Sequence, residues 1–135
     1  AYPQEADKSF RDECRTIAEA LGTPCELDES LMPAVTGLSG SGIAFVFQFI
    51  QAMALGGVSS GIPYQTSLSI TLKTIEGALA VMEKTKENPV QLLSKVISPA
   101  GTTIKGIAAL EEGAFTGTVM EAVEAATERA GELEG

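Results

Sequence analysis

Apolar residues recur at helical spacing along almost the whole chain of 135 residues. Near the start, four of them lie four, three and four positions apart: Phe10, Cys14, Ile17 and Leu21. Further on, five of them follow a 4-3-4-3 pattern within Tyr64–Lys84: Leu68, Leu72, Ile75, Leu79 and Met82. The spacing puts each series on one helix face, and we expect the second series, which we call the seam, to pack against another helix. Only the short segment 23–27 has an extended pattern, so the sequence predicts an all-α fold.

Glycine, proline and capping residues divide this pattern into separate helices. We expect Gly22 to end the first helix, and Asp28 to begin the second with Pro33 in its first turn. Pro63 suits the first position of the helix that carries the seam. The other predicted helices run from 43 to 55, from 89 to about 96, from 102 or 103 to about 112, and from 115 to 133.

The predicted helix 43–55 is apolar on nearly all sides, which is typical of a helix in a core or in an extensive interface. The glycines in Thr36–Gly42, just before it, require either an irregular backbone or very tight packing. Ser41 is a candidate N-cap for the apolar helix. Glutamines and a glycine pair interrupt the apolar run Ile43–Val58, so we expect this run to be too short to span a membrane.

The charge balance and the missing residue types exclude several classes of function. Nine basic and 18 acidic residues give a formal net charge of −9, which argues against nucleic acid and anionic membrane surfaces as partners. The chain has no histidine, so catalytic Ser-His-Asp and Cys-His arrangements are excluded. Cys14 and Cys25 are too few for a disulfide framework or a structural zinc site. With no signal peptide pattern at the start, we expect a cytoplasmic protein with free thiols.

Glycine-rich stretches in this chain lack the residues that nucleotide-binding motifs need. Gly40–Phe45 has phenylalanine where a dinucleotide fingerprint needs its third glycine, and no strand precedes it. Gly37–Gly42 and Gly101–Gly106 have the span of a phosphate-binding loop, but isoleucine replaces the lysine in both. These stretches therefore do not predict a nucleotide site.

The segment Ser98–Thr103 is the best candidate for a small-molecule site. It is a turn that leads into a helix N-terminus, with free backbone N–H groups, a favourable dipole and two threonine hydroxyls. This combination suits a small carboxylate. The alternative is an ordinary helix capped by Thr102 or Thr103. A capped, closely packed helix is also the alternative for Thr36–Gly42, where small residues otherwise let a ligand approach the backbone.

Several segments recur in the order and with the spacing of one enzyme family: Leu38–Gly42, Pro89, Val96, Ser98–Ile104, Leu110–Phe115 and Glu121–Ala126. The Ser-Pro-x-Gly-Thr-Thr element at Ser98–Thr103 is the most specific of them. By these segments the chain resembles the C-terminal half of pyrroline-5-carboxylate reductase. Residues 1–27 resemble the last helix and strand of that family's Rossmann domain. Residues 28–135 resemble its helical dimerisation and substrate-binding domain.

The resemblance implies an oxidoreductase that reduces 1-pyrroline-5-carboxylate to L-proline with a hydride from NADPH or NADH, the last step of proline biosynthesis. It implies an interlocking homodimer, which in the family often assembles into a larger ring of dimers. This chain would supply the dimer interface and the site for the imine substrate. We expect it to be inactive alone, because the family binds the cofactor mainly through its N-terminal domain.

The resemblance also assigns roles to individual residues. The backbone N–H groups of Thr102 and Thr103 would hold the substrate carboxylate, and the Thr103 hydroxyl, the one catalytic group, would hydrogen-bond the ring nitrogen. The implied substrate-binding residues are Val96, Ser98, Pro99, Ala100, Gly101, Thr102 and Thr103, of which Val96 and Pro99 line the ring pocket. The residues implied to face the nicotinamide are Ser39, Gly40, Ser41 and Gly42. No metal site is implied.

Three residues depart from the family pattern. Ile43 and Phe45 stand where the family usually has Pro and Tyr, and Ala100 stands where Gly is common. A side chain at position 100 alters the turn or narrows the pocket, which leaves open a paralogue that reduces a different cyclic imine. Two further alternatives remain open: a helical module that only dimerises, and a free-standing module that binds small carboxylates.

Overall fold

The computed structural model describes residues 6–134, and these are helical apart from short connections. The helices are α1 Lys8–Leu21, α2 Met32–Val35, α3 Gly42–Ser59, α4 Tyr64–Thr85, α5 Pro89–Val96, α6 Thr102–Glu112 and α7 Phe115–Glu134. The predicted all-α class is confirmed, since the described residues form no strand. They fall into two compact units, one of residues up to Ser41 together with those from Val123 onward, and one of Gly42–Ala122.

The helix α1 ends at the predicted residue, but the strand expected after it does not form. Asp7 caps the start by accepting a hydrogen bond from the Phe10 N–H at 2.8 Å, and the Gly22 N–H closes the end on the Ala18 carbonyl at 3.0 Å. Residues 23–28 then follow an irregular path. The expectation of a strand at 23–27 was wrong for this chain because a strand needs a neighbouring strand for its hydrogen bonds, and residues 6–134 offer none.

The second helical stretch is much longer than the sequence pattern predicts. Asp28 caps it as expected, accepting hydrogen bonds from the Ser30 hydroxyl at 2.6 Å and the Ser30 N–H at 2.9 Å. Both bonds hold the pKa of the Asp28 carboxyl below its usual range, and the bond from the Ser30 hydroxyl has the larger effect. The chain then stays helical from Glu29 to Ser59, with a wider π-helical turn at Thr36–Gly40.

The predicted N-cap at Ser41 was wrong, and of the two options for the glycine-rich stretch, the irregular backbone does not form. Ser41 has helical dihedral angles, and its N–H donates to the Thr36 carbonyl at 2.9 Å. The resulting helix of 31 residues, with a mean hydropathy of 1.5 in its most apolar window, is long and apolar enough to cross a membrane by length and composition alone. The expectation that this apolar stretch is too short to span a membrane therefore does not hold. A helix buried in a subunit interface has the same composition.

Tight packing, the second option for the glycine-rich stretch, is what the structure contains. Gly37 is buried against α7, within the first unit. A Cβ atom built on Gly37 would lie 2.8 Å from the Thr127 nitrogen and 2.9 Å from the Val123 carbonyl oxygen. Real Cβ atoms do not approach backbone atoms so closely, so only glycine fits here.

In the second unit, α3 and α4 pack against each other through small residues. Ala54 is completely buried, and its carbonyl accepts a hydrogen bond of 2.7 Å from the Ser67 hydroxyl. Gly57 lies beside the same serine, since a Cβ atom at Gly57 would be 3.0 Å from the Ser67 Cβ. Thr71, one turn further along α4, is also buried. The helices are joined by a tight turn in which Gly61 has a positive φ of 93°.

The seam of α4 is only partly covered. Leu68, Ile75 and Met82 are half-buried, whereas Leu72 and Leu79 remain 47% and 56% exposed. The residues of α4 that are buried against α3 are Ser67 and Thr71 instead. A partner helix that covers the whole seam is thus not found among the described residues of this chain.

The remaining helices begin and end close to the predicted residues. Asn88 and Gln91 form a reciprocal capping box at the start of α5, with Pro89 in the first position. The Gly113 N–H donates to the Ala109 carbonyl at 3.2 Å and ends α6. The ring of Phe115, at the start of α7, lies 5.8 Å from the ring of Phe49 on α3, centroid to centroid.

Candidate functional site

The segment Ser98–Gly101 forms the turn that leads into α6. The Gly101 N–H donates a hydrogen bond of 3.0 Å to the Ser98 carbonyl, which closes a four-residue turn. Pro99 is its second residue, and Ala100, the third, has a positive φ of 59°. Proline followed by a residue of positive φ is the pattern of a type II turn, whose third position normally requires glycine. Ala100 therefore holds a left-handed conformation that costs a non-glycine residue about 1 kcal/mol.

Position 101 requires glycine because Ser98 lies too close for a side chain, and not because of the backbone angles. Its φ is −71°, which any residue can adopt. A Cβ atom at this position would lie 3.1 Å from the Ser98 carbonyl oxygen and would also overlap the Ser98 hydroxyl oxygen. The Ser98 side chain is thus folded over the N-cap residue of α6.

The N-terminus of α6 has no side-chain cap. Gly101 is the N-cap residue, while Thr102 and Thr103 are the first two residues inside the helix. The prediction that one of these threonines caps the helix was wrong, because the helix begins one residue earlier and places both in helical conformation. No side-chain oxygen accepts from the first N–H groups, so the end of the helix dipole remains available to an anion.

Three hydroxyl groups surround this helix end without partners. The side chains of Ser98, Thr102 and Thr103 make no hydrogen bond to any other group in residues 6–134. Thr103 is half-buried, whereas Ser98, Pro99 and Thr102 are exposed. The arrangement offers backbone and hydroxyl donors to one small anionic group.

The other residues predicted for substrate and cofactor are placed differently. Val96, the last residue of α5, is 62% exposed and borders an apolar groove between α4 and α5. Ser39 and Gly40 lie in the π-helical turn, Ser41 follows it, and Gly42 begins α3. The residues from Ser39 to Ser41 belong to the first unit, and the turn before α6 belongs to the second.

One ion pair near the site was missed by the sequence patterns. The Glu87 carboxylate accepts a short hydrogen bond from the Lys95 ammonium group, which ties the connection before α5 to its last turn. The two residues are eight positions apart, and helical spacing would pair residues three or four apart. Only the capped bend at Asn88 brings them together.

The described residues do not fit a nicotinamide cofactor. A dinucleotide binds where a parallel strand turns into a helix. The stretch Gly40–Phe45 is helical throughout, so its glycines form no such turn. Residues 6–134 also contain no cluster of three or more metal-ligating side chains.

Comparison with known proteins places this chain among one family of reductases. The family model described as "Pyrroline-5-carboxylate reductase dimerisation" matches residues 29–133. A pyrroline-5-carboxylate reductase of Aquifex aeolicus is 43% identical over 123 residues, 91% of this chain and 46% of that protein. One of Arabidopsis thaliana is 46% identical over 114 residues, 84% of this chain and 41% of that protein.

Solved structures agree with the sequence comparison. Plasmodium falciparum pyrroline carboxylate reductase with NADP bound has a TM-score of 0.88 at 32% identity, over 96% of this chain and 52% of that one. The Streptococcus pyogenes 1-pyrroline-5-carboxylate reductase has a TM-score of 0.89 at 27% identity, over 95% of this chain and 49% of that one. This chain spans about half the length of its relatives. By its sequence and its fold, the chain belongs to the pyrroline-5-carboxylate reductase dimerisation family.

Proposed function

We propose that this chain is the dimerisation and substrate-binding part of an enzyme that reduces 1-pyrroline-5-carboxylate to L-proline. The observation that carries the proposal is the uncapped N-terminus of α6, with its free hydroxyls, in a chain of this family. The enzyme would use NADPH or NADH, be cytoplasmic and act last in proline biosynthesis. Because the described residues do not form a dinucleotide fold, we assign cofactor binding to parts of the enzyme outside them.

The substrate carboxylate is assigned to the start of α6. The backbone N–H groups of Thr102 and Thr103 lack a capping side chain and are available to donate to its oxygens, and the helix dipole favours the negative charge. The Ser98 hydroxyl, folded over Gly101, adds a further donor at the same end. Fixing the carboxylate fixes the position of the ring, which lowers the entropic part of the barrier.

The ring nitrogen is assigned to the Thr103 hydroxyl. The bound nicotinamide supplies the hydride, and the protein positions the imine and stabilises charge on its nitrogen. The hydroxyl of the half-buried Thr103 has no partner among residues 6–134 and is free to make that hydrogen bond. No histidine is needed for this role, which is consistent with a chain that has none.

We also assign a homodimer to this chain, with such dimers assembled into a larger ring. The chain exposes 10393 Å², whereas a compact monomer of its mass exposes roughly 6,700 Å². An obligate interface covers about 1,000–2,500 Å² per subunit, so the excess exposed area is large enough for one. Large apolar side chains on α3 and α4 remain exposed, among them Phe47, Leu72 and Leu79.

The test has a binding arm and a turnover arm. Proline is titrated into the labelled chain, and amide shifts are followed by NMR. We expect them at 98–104, with none at the equally uncapped start of α7. Nicotinamide absorbance is then followed with pyrroline-5-carboxylate, for the chain alone and for the chain joined to the NAD(P)H-binding half of the Aquifex aeolicus relative. Turnover only in the joined protein supports the proposal. No turnover and no shifts would leave a module that only dimerises.

A second candidate is a paralogue that reduces a different cyclic imine. The observation in its favour is Ala100, whose methyl group is held at the third position of the turn despite the unfavourable φ of 59°. Parallel assays with five- and six-membered cyclic imino acids separate the two. A higher kcat/KM for the six-membered ring would replace the proposed substrate.

A further inference from the structure

Lys105 is the fourth residue of α6 and lies four positions after Gly101, the N-cap. Residues four apart lie on the same face of a helix, and their separation along the axis is about 6 Å. Helical side chains lean towards the N-terminus, so a residue at this position covers the turn that precedes it. The flexible side chain of lysine is long enough to carry its ammonium group across one turn. Lys105 can therefore reach the uncapped end of α6.

The ammonium group of Lys105 is not used by the fold of this chain. Lys105 is exposed, and its ammonium group forms no ion pair or hydrogen bond with any group in residues 6–134. The positions three and four residues to either side of it carry glycine, threonine or alanine, so no carboxylate lies at helical spacing. The one other cation in α5 and α6, Lys95, is paired with Glu87.

Lysine is an unfavourable residue at this position for the stability of the helix. The N-terminus of a helix carries partial positive charge, so a cation in the first turn destabilises the helix and an anion stabilises it. The first turn of α6 has no acidic residue that would offset the charge of Lys105. The chain as a whole has a net charge of −9 and repels anions at long range. A local cation therefore has most effect where an anion binds.

We propose that Lys105 is a substrate-binding residue whose ammonium group pairs with the carboxylate of the cyclic imino acid at the start of α6. The proposal rests on the proposed function and adds a charged side chain to a site of backbone N–H and hydroxyl donors. Thr102, whose N–H is assigned to that carboxylate, precedes Lys105 by three residues, shares its side of the helix and is also exposed. Lys105 thus favours anionic substrates and attracts them before they dock.

A charge series at position 105 in the joined protein tests the pairing. Solvent-exposed ion pairs are weak, so Lys105→Gln should raise the KM for pyrroline-5-carboxylate about two- to fivefold at low salt. Charge reversal in Lys105→Glu should raise it about four- to 25-fold, and Lys105→Arg should retain the wild-type value. The kcat should stay unchanged, because the pair forms in the ground state and in the transition state alike. Lys73→Gln, which removes the same charge in the same unit, should leave KM unchanged.

Binding of an analogue to this chain alone gives a second readout. The probe is tetrahydrofuran-2-carboxylate, which has a five-membered ring and a carboxylate but no charged nitrogen. Its dissociation constant is measured from amide shifts in the labelled chain at about 20 mM and about 500 mM NaCl, where charges more than a few ångströms apart are screened. We expect salt to weaken binding to the wild type and to Lys105→Arg, and to change binding to Lys105→Gln much less.

Thermal unfolding separates this role from a structural one. Lys105→Glu removes a cation from the first turn of α6 and adds an anion, so the midpoint should be unchanged or higher while the KM rises. Circular dichroism checks that each variant keeps its helicity. A lysine that only supports the fold would lose stability and affinity together, and that result would overturn the proposal.

The outcomes distinguish this proposal from the proposed function. Equal KM values for wild type and Lys105→Gln, or wild-type binding of the probe that does not depend on salt, would overturn the role of Lys105 while the reductase activity stands. A raised KM for NADPH with an unchanged KM for the imine would also overturn it, because the charge would then serve the cofactor. A joined protein without turnover, together with a chain that binds no probe, would overturn both.

Discussion

The Ser67 hydroxyl donates a hydrogen bond of 2.7 Å to the carbonyl of Ala54, and both residues are buried where α3 meets α4. The Ala54 carbonyl is part of the backbone of α3, so a side chain of one helix is fixed to the main chain of the other. Such an approach requires small residues on both helices, and Gly57 supplies the space beside Ser67. This contact, and not the apolar seam of α4, sets the spacing of the hairpin.

Gly57→Ala should weaken the hairpin, and its neighbour provides the control. The new methyl group would overlap the Ser67 hydroxyl and break its bond to Ala54. We expect a net loss of about 1–2 kcal/mol of unfolding free energy, because overpacking outweighs the gain in helix propensity. Gly56→Ala, which meets nothing within 4 Å, should gain about 0.5–1 kcal/mol. Urea unfolding at one protein concentration measures both, and equal effects would contradict the packing argument.

Gly37→Ala should be more damaging, because its neighbours are backbone atoms. The Thr127 nitrogen and the Val123 carbonyl cannot move without displacing α7. We expect a loss of about 2–3 kcal/mol in thermal or urea unfolding. Gly131→Ala, in α7 and the same unit with open space around it, should be neutral or stabilising by up to about 1 kcal/mol. A Gly37→Ala protein as stable as wild type would mean that α7 does not hold this contact.

Ala100→Gly should relieve strain in the turn before α6. Glycine removes the cost of the left-handed conformation, about 1 kcal/mol. It also gives the unfolded chain more conformational entropy, which lowers the free energy of the unfolded state by a similar amount. Stability should therefore change little or rise by up to about 0.5 kcal/mol. Ala108→Gly, inside α6, should instead lose about 1 kcal/mol. Equal losses in the two variants would show that Ala100 is not strained.

Thr103→Ala should impair turnover more than folding. Loss of the proposed hydrogen bond to the substrate ring should lower kcat/KM by about 10- to 100-fold. Stability should fall by less than about 1 kcal/mol, since the hydroxyl caps nothing. Thr103→Ser keeps the hydroxyl and should retain most activity. The joined reductase is the protein for both assays, and reduced stability with normal turnover would leave Thr103 a structural residue.

Asp28 should make stability depend on pH at the acid end. Its carboxylate accepts two hydrogen bonds from Ser30, which hold its pKa below the usual range. A carboxyl with a depressed pKa stabilises the fold at pH values above its ordinary pKa of 3.8. This stabilisation is lost as the pH falls through the lower pKa of the folded state. Asp28→Asn keeps a capping side chain without the titration. We expect a flatter stability profile for that variant between about pH 5 and 2, and an unchanged profile would contradict the assignment.

The candidate site was predictable because its signals are local. Proline at position 99 and glycine at position 101 define a turn and a helix start within a few residues, and both form as predicted. The predicted threonine cap was wrong by one residue, because Gly101 and not Thr102 is the N-cap. The position of the N-cap depends on how Ser98 folds over Gly101. The Glu87–Lys95 pair was missed because it depends on a bend between two helices.

The sequence by itself determined where helix α1 ends and, closely, where α4, α5 and α7 begin and end, because caps, glycines and prolines act on their nearest neighbours. Tertiary structure alone decided that the chain stays helical through Thr36–Gly42, since the close contact of Gly37 with α7 selects tight packing over an irregular turn. It also decided that α4 buries Ser67 and Thr71 within the chain and leaves Leu72 and Leu79 exposed. Periodicity identifies an apolar face, but the shape of a distant helix determines which face packs closely enough to be buried.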